Sequence, residues 1–193
     1  MSKRLGLVVD QERCIGCQAC TVACRIENGF EQGAIRVETR GSDHSDAPVG
    51  RFPDLTMDFL PRLCNHCEQP PCVEACPLEA LVRREDGLVV LDPGKCDGCQ
   101  GCLSACPFDA LRFSPRHNRV EKCNLCAHRL DQGMEPFCVI CCEGQALHFG
   151  DLQEPDSPVA KMVSTGEVFR LHPEWGTGPS IYYCPPKAKR GLD

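Results

Sequence analysis

The chain has 193 residues with 18 cysteines, 6% aromatic residues and a formal net charge of −6 at pH 7. The negative charge and the low aromatic content argue against a nucleic-acid partner. The cysteine content matches that of small secreted disulfide scaffolds, but the length of the chain and the spacing of its cysteines argue against that class.

The first segment, "KRLGLVVD", is typical of a short strand rather than of a targeting signal. A twin-arginine signal needs an Arg-Arg pair before an apolar stretch, and this chain has only Lys3-Arg4. No secretory h-region follows, and no apolar run approaches the roughly 18 residues of a membrane span. We therefore expect no transmembrane segment and no export signal on this chain.

Sixteen of the cysteines fall into four groups that follow one another along the chain. Each group contains a C-x2-C pair and ends in a C-x3-C pair, so that three thiols are grouped and a fourth lies four positions further on. Motif I contains Cys14, Cys17, Cys20 and Cys24; motif II contains Cys64, Cys67, Cys72 and Cys76; motif III contains Cys96, Cys99, Cys102 and Cys106; and motif IV contains Cys123, Cys126, Cys138 and Cys142.

This spacing is typical of iron–sulfur ligation. In bacterial two-cluster ferredoxins the run C-x2-C-x2-C-x3-C-P gives three cysteines to one cluster and the fourth to another, so the motifs work in pairs. Pro77 and Pro107 end motifs II and III, and we expect each to begin the helix that leads the chain away. Arg25 and Glu143 stand at that position in motifs I and IV.

Two other uses of clustered cysteines are less favoured. Zinc sites usually combine two C-x2-C pairs across a long connection; motif IV alone would fit such a site, but the other three motifs argue against it. Cysteines separated by two residues on a tight loop rarely meet the geometry of a disulfide.

Spacing also bears on which motifs are paired. Between motifs II and III, "ALVRREDGLVVLDP" predicts a hairpin with its turn at Asp86-Gly87, as in the connection of a small ferredoxin. Motifs I and IV would then pair around it. A second predicted hairpin, "ALRFSPRHNRVEKC", joins motifs III and IV, so their pairing is also conceivable. The nested ligand sets are Cys14, Cys17, Cys20 with Cys142; Cys24 with Cys123, Cys126, Cys138; Cys64, Cys67, Cys72 with Cys106; and Cys76 with Cys96, Cys99, Cys102.

Four residues near the motifs have weaker signals. We expect Cys141 and Cys184 to serve in packing, because free cysteine is commonly a small buried hydrophobe. His66 lies between two predicted ligands; it either donates to a cluster sulfur, contacts a partner, or is a turn residue with its ring at the surface. His44 lies in a polar loop where nothing suggests a ligand.

Two long segments lie outside the motifs. The connection 25–63 contains the loop "RGSDHSDAPVGRFPD", and loops of that length are often functional. The tail from 151 has few strand or helix signals but contains Trp175, Tyr182 and Tyr183. It either lies over a partner through these aromatic anchors or packs across the protein's own surface. Lys187, Lys189 and Arg190 predict a solvated end.

The succession "RCIGCQACTVAC", "LCNHCEQPPCVEACP", "KCDGCQGCLSACPFDALRF" and "KCNLCAHRLDQGMEPFCVICC" resembles the iron–sulfur subunits of complex molybdopterin enzymes, in the dimethyl sulfoxide, polysulfide, thiosulfate and tetrathionate reductase group. The resemblance covers residues 5 to about 152 and implies the same nested ligand pairing. Some relatives replace the second cysteine of motif III by tryptophan and bind a three-iron cluster. Because Cys99 is present, the resemblance implies four [4Fe-4S] clusters.

The implied function is a non-catalytic electron-transfer subunit, since the chain has no dinucleotide motif, phosphate loop or nucleophile–base pair. The implied partners are a molybdopterin (Mo or W) catalytic subunit and either a quinone-reactive membrane-anchor subunit or a soluble redox protein. A free soluble polyferredoxin is the alternative. The location is then cytoplasmic, exported folded with a twin-arginine-signal partner, or membrane-associated through a partner.

The expected fold is α+β, with two ferredoxin-like modules that each bind two [4Fe-4S] clusters, short β-hairpins and an extended C-terminal tail. Residues 1–60 and 115–150 would form an outer module from motifs I and IV. Residues 61–114 would form an inserted module from motifs II and III, and 151–193 a tail for partner contact.

Overall fold

A computed structural model describes residues 3–40 and 47–187. Short strands and helices alternate along these residues, and α1 is the longest helix, with 10 residues. The elements are β1 (Leu5–Asp10), α1 (Ala19–Asn28), β2 (Arg36–Thr39), β3 (Val49–Arg51), β4 (Asp54–Thr56), β5 (Phe59–Arg62), α2 (Pro71–Glu74), β6 (Leu81–Arg83), β7 (Val89–Leu91), α3 (Gly101–Ala105), β8 (Leu111–Ser114), β9 (Arg119–Lys122), α4 (Ala127–Leu130), α5 (Phe137–Ile140), β10 (Leu147–Asp151), α6 (Pro158–Ser164), a 3₁₀ turn (Pro173–Trp175) and β11 (Ile181–Cys184).

The largest sheet joins the two ends of the described chain. β1 lies in its centre, antiparallel to β10 and parallel to β11, with Leu7 opposite Phe149 and Ile181. Leu7, Val8 and Val9 are fully buried there, which explains the unbroken apolar run of β1. The predicted N-terminal strand is therefore present.

Both predicted hairpins between the cysteine motifs form. β6 pairs with β7 across the Asp86-Gly87 turn, with Val82 opposite Val90. β8 pairs with β9, with Phe113 opposite Val120. The long connection between motifs I and II also contains pairs, β2 with β5 and β3 with β4. His44 lies outside the described residues.

The C-terminal tail differs from the expectation of an extended segment. It forms α6 and then returns to the sheet as β11, where Tyr183 is fully buried. Trp175 stacks on His172, with ring centroids 3.9 Å apart, and packs against Phe108 at 5.2 Å. The tail to 187 therefore packs on the protein's own surface. It does so because β11 pairs with the edge of β1 that β10 leaves open. Lys189 and Arg190 lie outside the described residues.

The prolines after motifs II and III also differ from expectation. Pro77 and Pro107 begin turns rather than helices, since α2 and α3 have already ended at Glu74 and Ala105. The short helices instead precede the last cysteine of these motifs.

The apolar interior forms two cores, and cysteines belong to both. The larger includes Leu7, Ile181 and Tyr183, together with Cys20, Cys24, Cys64, Cys123 and Cys138. The smaller includes Leu81, Val89, Leu111 and Val120, together with Cys72 and Cys102. Within the described residues, no helix is long and apolar enough to cross a bilayer.

Candidate metal centres

The four motifs share a backbone turn that the sequence shows only in part. In each motif the residue just before the second cysteine has a positive φ, which curls the C-x2-C loop. These residues are Gly16 (70°), His66 (43°), Gly98 (79°) and Leu125 (51°). At Gly98 a side chain would also be crowded, because a Cβ would lie 2.9 Å from the carbonyl oxygen of Asn118.

A second shared feature positions the later cysteines. The third cysteine of every motif is the second residue of a short helix, and the fourth follows four residues later. The third cysteines are Cys20 in α1, Cys72 in α2, Cys102 in α3 and Cys138 in α5. Only α1 continues through its fourth cysteine, Cys24, and it has Arg25 at the position where motifs II and III have a proline. In motif IV, Glu143 occupies the same turn that Pro77 and Pro107 begin.

The first group of thiols joins the beginning of the described chain to motif IV. Burial, together with the neighbouring Cys14, Cys142 and Cys17, raises the pKa of Cys20 to about 12. The backbone N–H of Ala146 donates to Cys142 Sγ at 3.2 Å. Motif I thus supplies three thiols and motif IV one.

The second group joins the last cysteine of motif I to the rest of motif IV. Burial raises the pKa of Cys138, and Cys123, Cys126 and Cys24 add to the rise, as does Cys20 of the first group. Asn28, one turn after Cys24, donates from Nδ2 toward Cys24 Sγ at 3.9 Å and Cys126 Sγ at 3.7 Å. Asn28 lies four residues after Cys24 on α1, a spacing that places two side chains on one face of a helix. This spacing could have indicated Asn28 from the sequence, but the motifs considered only cysteines.

The third and fourth groups join motifs II and III. Burial raises the pKa of Cys72 to about 12, and Cys64, Cys106 and Cys67 add to the rise. Burial likewise raises the pKa of Cys102 to about 11, and its neighbours Cys76, Cys96 and Cys99 add to it. The thiols around Cys20, Cys138, Cys72 and Cys102 thus come from two motifs in each case, and the nested ligand sets stay a prediction.

The third group is covered by the tail. Glu68 and Gln69 donate from their backbone N–H groups to the carbonyl oxygens of Gly178 and Thr177, both at 3.0 Å. The Thr177 hydroxyl lies against the Cys67 thiol, where it opposes the rise that burial causes in the Cys67 pKa. Sequence reasoning missed Thr177 because it lies more than a hundred residues from motif II.

His66 is not a surface residue, so that interpretation of its ring was wrong. The ring is fully buried, and its Nδ1 accepts a hydrogen bond from the backbone N–H of Val89 at 3.0 Å. Nε2 then carries the proton, and within the described residues it has no acceptor. An inorganic sulfur of a cluster beside Cys64 and Cys67 would be a suitable acceptor for this buried donor. The interpretation that His66 donates to a cluster sulfur therefore stays a prediction.

The two remaining cysteines lie apart from this pattern. Cys141 is half-buried, and its Sγ lies 3.7 Å from the carbonyl oxygens of Ala19 and Cys138. Cys184 is half-buried at the end of β11, opposite Asp10. A packing role remains the prediction for both.

The donor chemistry of the groups fits a multi-iron cluster. Each group includes a thiol whose burial raises its pKa, namely Cys20, Cys138, Cys72 and Cys102, and bound iron would supply the positive charge that favours the thiolate. Within residues 3–40 and 47–187, no three His, Cys, Asp or Glu side chains are arranged as for one metal ion. Backbone and Asn28 donors near the sulfurs are of the kind that tune iron–sulfur clusters.

Comparison with known families identifies the class of protein. Models described as "4Fe-4S dicluster domain" match residues 13–80 and 55–152. The repeated loops, the thiol groups and these matches define an iron–sulfur protein with two tandem ferredoxin-type domains. Two dicluster domains imply four [4Fe-4S] clusters, in agreement with the sixteen grouped cysteines.

This protein belongs to the 4Fe-4S dicluster family of reductase iron–sulfur subunits. It is 42% identical to a Halobacterium salinarum protein provisionally designated the iron–sulfur subunit of a dimethyl sulfoxide reductase, over 92% of its own length and 78% of the relative. It is also 42% identical to the second subunit of tetrathionate reductase from Salmonella typhimurium, over 93% and 72%. The corresponding polypeptide of the Wolinella succinogenes polysulfide reductase is 36% identical, over 97% of each protein.

These relatives confirm the expected function in outline. All three are named as one subunit of a reductase, which supports a non-catalytic electron-transfer subunit and not the alternative of a free polyferredoxin.

Proposed function

We propose that this chain relays single electrons through four [4Fe-4S] clusters held by the nested cysteine sets. Set A is Cys14, Cys17, Cys20 and Cys142; set B is Cys24, Cys123, Cys126 and Cys138; set C is Cys64, Cys67, Cys72 and Cys106; and set D is Cys76, Cys96, Cys99 and Cys102. The mutual effects of these thiols on one another's pKa values support the assignment. A bound cluster takes or returns one electron with little rearrangement.

The thiols that link different sets support a linear order, D–C–B–A. Cys138 of set B is influenced by Cys20 of set A, and Cys123 of set B by Cys64 of set C. Motif II supplies three cysteines to set C and one to set D, and motif III supplies three to set D and one to set C. This exchange keeps the two sets adjacent. Sets A and B would form the outer module, and sets C and D the inserted one.

The single observation that carries the proposal is the exposure at the two ends of this order. Cys17 of set A and Cys99 of set D are exposed, whereas every cysteine of sets B and C is buried or half-buried. Near Cys17, Ile15 is 62% exposed, and Leu78 is 44% exposed in the turn after Cys76 of set D. Each terminal cluster would thus lie beside surface that a partner can cover.

We propose that one terminal surface contacts a molybdopterin (Mo or W) catalytic subunit. The other would contact a quinone-reactive membrane subunit or a soluble redox protein, which would place the chain in the cytoplasm, at a membrane, or outside after export with a partner. The names of the relatives as reductase subunits support this assembly. The described part of the tail pairs with β1 and covers set C.

Native co-purification tests the proposed assembly. The chain carries a mild affinity tag and is isolated anaerobically from its host; co-eluting proteins are identified by mass spectrometry, and iron, molybdenum and tungsten are measured. We expect a large subunit with pterin metal and about sixteen irons per copy of this chain. The same iron with no partner would contradict the assembly, and iron well below this value would contradict the four-cluster relay itself.

Substitution of Cys99 tests the ligand sets. Cys99→Ala removes a proposed ligand of set D, so we expect one cluster to be lost or converted while the other three remain, with a loss of up to about four irons. Cys184→Ala is the matched control, because Cys184 is a half-buried cysteine outside all four sets, and it should retain all the iron. Loss of two clusters in Cys99→Ala, or of iron in the control, would contradict the sets.

A further inference from the structure

Lys122 is a buried charged residue that the relay described above does not use. It ends β9, directly before Cys123, and only 2% of it is exposed. Its ammonium group donates to the carbonyl oxygen of Cys123 at 2.6 Å and to that of Val89 in β7. The charge is therefore fixed between the β6–β7 hairpin and the first cysteine of motif IV.

This buried charge has no carboxylate partner in the part of the chain that the structure describes. None of the ion pairs there includes Lys122, and the neighbouring Glu121 bonds instead to His117, at 2.7 Å. A buried ammonium is costly unless negative charge lies close to it, and two carbonyl oxygens supply only partial charges. The side chain therefore needs another negative group nearby.

The two hydrogen bonds of Lys122 place its charge beside cysteines of two different sets, which would be negative as cluster ligands. One bond goes to the carbonyl oxygen of Cys123, a ligand of set B, and the other to that of Val89, which belongs to the same apolar core as Cys72 of set C. The backbone N–H of Val89 donates in turn to Nδ1 of His66, which lies between Cys64 and Cys67 of set C, at 3.0 Å. Lys122 therefore lies where sets B and C meet, at the step between the two modules.

We propose that Lys122 is the shared counter-charge of the two central clusters, those of sets B and C, and that it raises both of their reduction potentials. A nearby fixed positive charge favours the form that carries the extra electron, and burial leaves this effect little screened by water or salt. Because the charge faces both sets, it raises the two potentials together, so that the difference between them changes less than either value. The inference rests on the proposed ligand sets.

The test is a redox titration of the assembled complex, followed by electron paramagnetic resonance. Lys122→Gln removes the charge, Lys122→Arg keeps it, and Lys95→Gln is the matched control, because Lys95 also stands directly before the first cysteine of a motif but is exposed. Variants Cys17→Ser and Cys99→Ser perturb the terminal clusters and so identify which signals belong to the central pair.

We expect Lys122→Gln to lower two of the four midpoint potentials, those of the central pair, with little dependence on salt. Lys122→Arg and Lys95→Gln should leave all four near their original values. The inference is overturned if Lys122→Gln retains four clusters with unchanged potentials, if all four shift equally, or if Lys95→Gln has the same effect.

Loss of iron in a variant is also informative. If Lys122→Gln loses the central clusters while Lys122→Arg retains all four, the requirement for charge is supported. If Lys122→Arg loses them as well, the site requires the shape of lysine rather than its charge, and the inference fails. Fewer than four clusters in the unaltered protein would instead contradict the proposed function.

Discussion

Removal of iron from the folded protein is expected to abolish most of its secondary structure. Four of the helices have only four or five residues, namely α2, α3, α4 and α5. Isolated helices of this length are not stable in water, and isolated two-stranded hairpins are marginal. These elements therefore depend on what lies between them.

The material between them is largely the sulfur groups and whatever those groups bind. In the smaller core, Cys72 and Cys102 contribute alongside Leu81, Val89 and Leu111. Burial raises the pKa of both thiols, so without iron they would remain neutral and leave the space of a cluster unfilled. Folding and metal binding are coupled in cores of this kind.

Circular dichroism measures this coupling directly. The anaerobic protein is treated with an iron chelator and a thiol reductant, and the far-ultraviolet spectrum is followed with the iron content. We expect the helical and strand signals to fall as iron is lost and to return when iron and sulfide are restored. A native-like spectrum at less than one iron per chain would show that the fold does not depend on the clusters.

The sequence predicted local features of this molecule well. The turn at Asp86-Gly87 and the alternation of short apolar strands were sufficient for both hairpins, since each needs only residues that are near in sequence. The ligand motifs were equally visible, because the C-x2-C and C-x3-C intervals are local in the sequence. Motif IV shows the limit of prediction from local sequence, since Glu143 lies in the turn that begins with proline in motifs II and III.

Features that depend on distant contacts were missed. The strand β11 forms because β1 has a free edge about 170 residues earlier, and no local pattern in "SIYYC" indicates a partner so remote. His66 is buried because Val89 and the Ser180 segment close over it. Lys122 gave no signal either, since a lysine at the end of a strand is usually solvated.

Truncation of Tyr183 is expected to be the most damaging single change in the tail. Tyr183 is fully buried in β11, its hydroxyl donates to the carbonyl oxygen of Pro61 at 3.2 Å, and its ring lies 5.7 Å from that of Phe169. Replacing a large buried aromatic side chain by alanine costs about 3–5 kcal/mol. Tyr183→Phe keeps the packing and should cost only about 1 kcal/mol.

Tyr182 provides a matched control on the same strand. It is half-buried and points to the opposite face of the sheet, where Arg170 lies 4.6 Å from its ring centroid. Tyr182→Ala therefore removes the same atoms from a more exposed site, and its cost should be clearly smaller. Equal destabilisation by the two alanine variants would contradict a core role for Tyr183.

The destabilisation by Tyr183→Ala should also affect the metal centres, because the tail segment before β11 covers set C. β11 holds Ser180 in place, and Ser180 donates from its backbone N–H to the Asn65 carbonyl oxygen at 2.8 Å and from its hydroxyl to that of His66 at 3.0 Å. When β11 loosens, water reaches the thiols of motif II, so we expect Tyr183→Ala to lose iron faster on mild heating than Tyr182→Ala. Loss of iron at the same rate in both variants would show that the sheet and this cover are independent of each other.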